Sequence, residues 1–160
     1  MPTPEEINAR RLRSVSIHEI CHAFAGMQRC VKVGFALDRN SQGLWAGQAI
    51  SNPTDDDKYL DSVYGWAGIM GEAIEHDRKN AVSFALERYQ KQRPSISGSD
   101  LQSIEGVALD CRTKAAETAY QTLIGYWDEI KTLQDRVLTL IEKDEQPGVL
   151  FVWTKEDGWK

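Results

Sequence analysis

The sequence predicts a mainly α-helical fold with one small β-hairpin. Most of the 160 residues lie in segments in which apolar residues recur every three or four positions, the spacing of an amphipathic helix. Only one region contains two β-rich runs with a polar turn between them. We therefore expect a single domain made of a first helix, the hairpin, a longer helical part and a C-terminal tail. Their bounds are residues 1–28, 31–51, 55–146 and 147–160.

The first helix begins with a strong start signal. Thr3 is a favourable N-cap, Pro4 suits the first helical position, and Glu6 completes a capping box. Apolar residues then recur at intervals of three to five positions, which predicts one helix over residues 4–28. These apolar residues are Leu12, Val15, Ile20, Phe24 and Met27.

The predicted hairpin follows this helix. Residues 31–37 alternate in polarity and are rich in β-forming residues, and residues 44–51 form a second run of the same kind. The polar residues 38–43 between them have the composition of a turn, and Asn-Pro-Thr at 52–54 breaks the chain afterwards. If one edge of this hairpin is exposed, we expect an extended peptide to add to it as a further strand.

The helical remainder starts after a run of acidic residues. Aspartates at 55–57 suit the positive end of a helix dipole, so they predict the start of a helix that reaches about His76. A shorter helix is expected over residues 80–93, because Pro94 cannot continue it.

A helical pattern resumes at Asp100. Its apolar residues share one face, so we expect the helix to continue past Trp127 unless Gly125 interrupts it. A last amphipathic helix over residues 130–141 ends before a Pro-Gly pair. The apolar residues 149–153 that follow are too few to assign to an element.

Composition excludes several classes of protein. The 24 acidic residues outnumber the 19 basic ones, and a net charge of −5 argues against a general nucleic-acid binder. No apolar run approaches the length of a membrane span, so a membrane partner is not expected. The N-terminus has no apolar secretory segment. Cys21, Cys30 and Cys111 form no Cys-x-x-Cys pair, which predicts free thiols and a cytoplasmic location.

One sequence motif is typical of a catalytic metal site. His18, Glu19 and His22 form the pattern His-Glu-x-x-His within the first predicted helix. Residues four apart lie one above the other on a helix, so both imidazoles can reach one Zn²⁺ ion, while Glu19 points to the side and can act as a general base. The rival interpretation is that His18 and His22 are hydrogen-bonded histidines of the core.

A zinc site needs a third protein ligand. The candidates are Glu72, Glu75, His76 and Asp100. Glu72 is attractive because a downstream helical glutamate is the third ligand in many zinc peptidases, whereas His76 at a helix end is expected to be solvated. Asp100 begins a helix, where an acid is also favourable simply because of the helix dipole. Spacing alone leaves both Glu72 and Asp100 open.

The chain resembles the peptidase domain of FtsH-type, membrane-anchored ATP-dependent zinc metalloproteases. Besides the His-Glu-x-x-His motif, residues 67–72 (Ala-Gly-Ile-Met-Gly-Glu) resemble the family's Gly-Gly-Arg-x-Ala-Glu helix. Residues 97–102 (Ser-Gly-Ser-Asp-Leu-Gln) resemble its Thr-Gly-Ala-x-Asn-Asp-Leu-Glu segment. Residues 31–51 match its hairpin, and residues 115–145 match its closing helix pair. The resemblance implies an FtsH-peptidase-like helical domain with the hairpin beside the motif helix.

The resemblance also implies a ligand set. The aspartate of the family's Asn-Asp-Leu segment is its third zinc ligand and corresponds to Asp100, which makes Glu72 a group that orients a ligand. Three positions depart from the family: Ile20 and Cys21 replace its small residues, and Ile69 replaces its arginine. We expect Cys21 to pack in the core.

The expected function is that of a stand-alone, ATP-independent zinc metallopeptidase, because the 160 residues hold neither the family's ATPase module nor its membrane anchor. In this role Zn²⁺ is held by His18, His22 and Asp100, Glu19 is the general base, and the substrate is a peptide or an unfolded protein. The alternative is a non-catalytic binding or regulatory protein that retains the same fold.

Overall fold

The computed structural model describes residues 1–160 as six α-helices and a four-stranded antiparallel sheet, with two short 3₁₀ turns. The helices are α1 Pro4–Gly26, α2 Lys58–His76, α3 Ala81–Lys91, α4 Gly98–Ile104, α5 Leu109–Gly125 and α6 Trp127–Glu142. The strands are β1 Cys30–Arg39, β2 Trp45–Pro53, β3 Val149–Thr154 and β4 Gly158–Trp159. The predicted mainly helical fold class with a small antiparallel β element is confirmed.

Capping side chains fix the starts of α1 and α2. At the start of α1 the Thr3 hydroxyl accepts a hydrogen bond from the Glu6 amide (3.1 Å), and the Glu6 carboxylate accepts one from the Thr3 amide (3.0 Å), as the capping box predicts. At the start of α2 the Asp57 carboxylate accepts a bond from the Leu60 amide. Helix α2 has 11 buried residues among its 19 and packs against α1, α3, α4 and α5.

The β element is larger than predicted. The strand order is β2-β1-β3-β4, so the hairpin of β1 and β2 is only half of the sheet. Residues 147–160, predicted as a tail, supply β3 and β4, and β3 pairs with β1 in the register Phe35–Phe151. The two rings stack with centroids 5.4 Å apart. Pairing between strands more than a hundred residues apart leaves no local signal, whereas a hairpin does.

The stacking of Phe35 on Phe151 holds β3 against β1. Substitutions at the adjacent residues Phe151 and Leu150 test this role. Phe151 is 3% exposed on the core face of the sheet, and Leu150 is 62% exposed on the other face. We expect Phe151→Ala to lower the free energy of unfolding by about 3 kcal/mol. Leu150→Ala is expected to change it by less than about 0.5 kcal/mol. Urea denaturation of both variants measures the difference, and equal losses would contradict the register.

The helix expected to run on from Asp100 is interrupted. Helix α4 ends at Ile104, and α5 begins only at Leu109. The Ser62 hydroxyl donates to the Ile104 carbonyl oxygen (2.9 Å), and the Arg112 guanidinium donates to the carbonyl oxygens of Glu105 and Val107. These side chains satisfy carbonyl groups that a continuous helix would have paired with its own amides. A second break, which Gly125 was expected to allow, separates α5 from α6.

The cysteines and the helix surfaces agree with the sequence analysis. All three cysteines are free thiols, as predicted. Cys21 is fully buried in the core, and burial raises the pKa of its thiol well above the usual value. No helix carries an apolar stretch long enough to cross a membrane.

Candidate metal centre

Two helices bring three ligand atoms together. Helix α1 carries His18 and His22 one turn apart, and α4 presents Asp100 to both of them. The two Nε2 atoms lie 3.1 Å apart, and Asp100 Oδ2 lies 3.1 Å from His18 Nε2 and 3.2 Å from His22 Nε2. The three atoms therefore form a nearly equilateral triangle at the wall of a cavity.

The hydrogen bonds of the two Nδ1 atoms leave the two Nε2 atoms free to bind a metal ion. His22 Nδ1 lies 2.7 Å from the carbonyl oxygen of Tyr64, which can only accept, so Nδ1 carries the proton. His18 Nδ1 lies 2.8 Å from the Glu72 carboxylate and donates to it. In the neutral form that a metal ion would bind, each Nε2 directs a lone pair towards the other and towards Asp100. A positive charge at this point, either a proton on an Nε2 atom or a metal ion, offsets the repulsion among the three atoms.

The triangle fits a divalent metal ion. Zinc binds histidine nitrogen at about 2.0–2.1 Å in tetrahedral geometry, which puts neighbouring ligand atoms about 3.3 Å apart. The observed separations of 3.1–3.2 Å are close to that value. Two imidazoles and one carboxylate, with a side open to the cavity, form a donor set typical of catalytic zinc. The structure thus brings His18, His22 and Asp100 together as residues that could hold a metal ion.

A glycine keeps the ligand atoms accessible. Gly68 of α2 faces the two histidines, and a Cβ atom at this position would collide with both Nε2 atoms. Any larger residue would therefore occupy the space around the ligand triangle. The sequence analysis missed this role, because the helix spacing that brings Gly68 opposite the motif depends on how α1 and α2 pack.

The position of Asp100 depends on a cap and on close packing. Ser97 is the N-cap of α4, and its hydroxyl accepts a hydrogen bond from the Asp100 amide (3.2 Å). Gly65 of α2 lets α4 approach, since a Cβ there would lie 2.8 Å from Ser103 Cβ and 3.0 Å from the Asp100 carbonyl oxygen. The side chain of Asp100 is consequently held against α1 and is largely buried.

The electrostatics of this cluster favour positive charge. Burial alone would lower the pKa of His18, but its hydrogen bonds to Asp100 and Glu72 outweigh burial and raise the pKa to about 10. Burial would raise the pKa of Asp100, yet hydrogen bonds from His18 and His22 hold it well below its usual range. The ionised form of Asp100 is therefore favoured, and a positive charge, either a proton on His18 or a metal ion, is stabilised where the ligand atoms meet.

Glu19 opens onto the same cavity. The cavity has a volume of about 540 Å³, and Glu19 and all three ligands line it. The Glu19 side chain forms no hydrogen bond or ion pair, is only 9% exposed, and has a pKa that burial raises. Gly47 of β2 makes this placement possible, because a Cβ there would collide with Glu19 and Val15.

Arg88 supports the ligand cluster from α3. Its guanidinium lies 3.0 Å from the same Glu72 oxygen that accepts from His18, so Glu72 bridges Arg88 and the imidazole. The ion pair helps to keep the pKa of Glu72 below its ordinary value, although burial acts in the opposite direction, and the bond from His18 has the larger part in lowering it. Ser95 holds Arg88 in turn, through its hydroxyl and its carbonyl oxygen.

Replacing Arg88 is expected to loosen the orientation of His18. We expect Arg88→Gln to weaken zinc binding about tenfold, because groups that orient a metal-binding histidine typically contribute 10- to 100-fold to affinity. Competition with a fluorescent zinc chelator measures the change. Arg78→Gln, at an exposed arginine without an ion pair, is the control. Equal affinities in the two variants would show that the Arg88–Glu72 pair does not support the site.

The remaining candidate ligands lie away from the triangle. Glu72 bonds to the outer nitrogen of His18, not to the ligand face. Glu75 pairs with Lys131 at 2.6 Å, and His76 is exposed at the end of α2 beside Phe84. The carbonyl of Tyr64 was not predicted, because a backbone acceptor leaves no mark on residue type.

The chain matches no protein-family model and no curated protein in sequence.

Proposed function

We propose that this protein is a zinc metallopeptidase that hydrolyses peptide bonds without ATP. The observation that carries the proposal is the convergence of His18 Nε2, His22 Nε2 and Asp100 Oδ2 beside an unpaired buried glutamate in one open cavity. Two imidazoles, a carboxylate and an adjacent free carboxylate are the groups that zinc-dependent hydrolysis requires. A histidine pair that merely stabilised the core would not need a ligand face directed at a cavity.

The residues of the chain divide the chemistry between them. Zinc, when bound, supplies a Lewis acid that polarises a carbonyl group and acidifies water. His18, His22 and Asp100 hold the ion, and Glu19 is placed to accept a proton from the attacking water molecule. The water oxygen bonds to the carbonyl carbon, the C–N bond breaks, and Glu19 delivers the proton to the departing amine. The products are a carboxylic acid and a free amine, with Glu19 again ionised.

An edge strand offers a place for the substrate backbone. Strand β2 lies at one edge of the sheet, and its residues 47–51 line the cavity that contains the metal ligands. An extended peptide that adds to this edge would form main-chain hydrogen bonds and carry its carbonyl groups past the ligand triangle. Substrate protection of β2 amides in hydrogen exchange would support this mode of binding. Protection confined to other elements would argue against it.

The proposal includes an FtsH-peptidase-like fold. Three features support it: the hairpin follows the motif helix, a short helix presents the aspartate, and Glu72 bonds to His18 instead of joining the triangle. The buried Ile69 stands where the family has arginine, and the cation beside Glu72 is Arg88 of α3.

Hydrolysis with and without metal tests the proposed function. The protein is stripped with a chelator, reloaded with one equivalent of zinc, and incubated with a mixture of degenerate peptides whose fragments are read by mass spectrometry. We expect cleavage only in the reloaded sample. Stoichiometric zinc binding without cleavage of any peptide would contradict a peptidase and favour a binding protein, whereas cleavage that survives chelation would contradict the role of the metal.

A further inference from the structure

A second cavity continues from the candidate metal centre. It has a volume of about 600 Å³ and shares His18, Glu19, Gly47 and Ser97 with the first cavity, so the two form one cleft across the motif helix. The two ends of this cleft differ in charge. No lysine or arginine lines the first cavity, whereas three arginines line the second. These are Arg10, Arg11 and Arg88.

Two of the three arginines have no carboxylate partner. Arg88 is engaged with Glu72 and Ser95, as described above. Arg11 donates through Nε to the Trp45 carbonyl oxygen (2.6 Å), and its terminal amino groups make no hydrogen bond. Arg10 is exposed and makes neither a hydrogen bond nor an ion pair. Arg10 and Arg11 therefore bring two uncompensated positive charges to this end of the cleft.

The free edge of β2 ends beside these arginines. The Trp45 amide donates to the Asn8 side chain (3.3 Å), and the Trp45 carbonyl accepts from Arg11, so side chains of α1 already occupy both backbone groups of Trp45. A peptide strand that pairs with β2 along residues 47–51 cannot continue its main-chain pairing at Trp45. The end of the peptide, or the side chain of its residue nearest Trp45, then lies beside Arg10 and Arg11.

We propose that Arg10 and Arg11 bind a carboxylate of the substrate peptide, which makes them specificity-determining residues of the cleft. This inference rests on the proposed peptidase function, because it assumes that a peptide occupies the β2 edge. Guanidinium groups bind carboxylates through paired, charge-assisted hydrogen bonds. Of the two acids that line the second cavity, Glu72 is paired with Arg88 and His18, and Glu19 also lines the first cavity beside the metal ligands. The carboxylate is either the free C-terminus or an Asp or Glu side chain.

Binding to a hydrolysis-deficient protein tests the inference independently of catalysis. Zinc-loaded Glu19→Gln is titrated with four pools of degenerate hexapeptides that carry an uncharged BODIPY dye at the N-terminus, and binding is followed by fluorescence anisotropy. All randomised positions carry neutral residues. The first pool has a free C-terminus, the second is amidated, the third is amidated and contains one Glu at varied positions, and the fourth has Gln in place of that Glu.

The two pairs of pools distinguish the sources of the carboxylate. We expect at least one acidic pool to bind about tenfold more tightly than its neutral counterpart at low salt, and the difference to shrink as salt is raised. The first pair reports on a C-terminal carboxylate and the second on an acidic side chain. Equal binding within both pairs, or no binding of any pool, would overturn the inference. Neither result depends on whether the wild-type protein hydrolyses peptides, which the assay described above decides.

Matched substitutions assign the preference to the two arginines. Added to Glu19→Gln, the double change Arg10→Gln and Arg11→Gln is expected to abolish the difference between acidic and neutral pools. The single change Arg10→Gln leaves the bond from Arg11 to Trp45 in place and is expected to reduce the difference. Arg13→Gln removes the same charge from an exposed position of α1 outside the cavity and is expected to leave it unchanged. An equal loss in Arg13→Gln and the double variant would reject a specific role.

Discussion

Glu19→Gln is expected to lower the rate of zinc-dependent peptide hydrolysis by at least about a thousandfold while zinc remains bound. Glutamine is nearly isosteric with glutamate, but its amide cannot accept a proton from water, so general-base catalysis is lost. Glu19 forms no hydrogen bond to a ligand residue, so the ligand triangle has no reason to change. Steady-state kinetics on a cleaved peptide, together with metal analysis, measure both quantities on the same sample.

The control for Glu19→Gln is a charge-matched change on the surface. Glu117 is exposed on α5 and lines neither part of the cleft. Glu117→Gln should retain the wild-type rate and zinc content. An unchanged rate in Glu19→Gln would remove this residue from the proton transfer, and loss of zinc in that variant would mean that Glu19 supports the ligands.

Asp100→Ala is expected to weaken zinc binding by more than about a hundredfold, because it removes one of three protein ligands. Glu72→Gln is expected to weaken it only about tenfold, since the Gln carbonyl oxygen can still accept the hydrogen bond from His18 Nδ1. The ordering of the two effects is the informative quantity. This order shows whether Asp100 or Glu72 is the third ligand, which spacing along the sequence left open. Competition with a fluorescent chelator measures both affinities.

Asp128 is an exposed aspartate in the first turn of α6. Asp128→Ala is the control, because it removes a carboxylate away from the ligand triangle. Circular dichroism of each variant reports whether the helices are intact. A larger loss of affinity in Glu72→Gln than in Asp100→Ala would return Glu72 to the ligand position. Such a result would require α2 and α4 to exchange their roles at the site.

The parts of the site that follow from local structure could be predicted from the sequence. The start of α1 depends on Thr3, Pro4 and Glu6, which are close together in the chain. The placement of His18 and His22 on one face of α1, one turn apart, depends only on the pitch of the helix. Asp100 was singled out only through the resemblance to a known family. Its cap, Ser97, is again a local feature.

The parts that depend on packing between distant elements could not be predicted. The contact of Tyr64 with His22 involves a backbone carbonyl, and the role of Gly68 appears only when α2 lies across α1. Arg88 reaches Glu72 because α3, which follows the 3₁₀ turn after α2, packs against α2. Strand β3 joins β1 through side chains that meet only in the folded protein, such as Phe151.

Anomalous diffraction from crystals grown with zinc would test the ligand triangle most directly. Difference maps from data collected above and below the zinc absorption edge locate the ion without assumptions about its ligands. We predict one peak about 2.0–2.2 Å from His18 Nε2, His22 Nε2 and an Asp100 carboxylate oxygen, with Glu72 bonded only to His18. The absence of a peak between the two histidines, or a peak held by Glu72 in place of Asp100, would contradict the proposed metal centre.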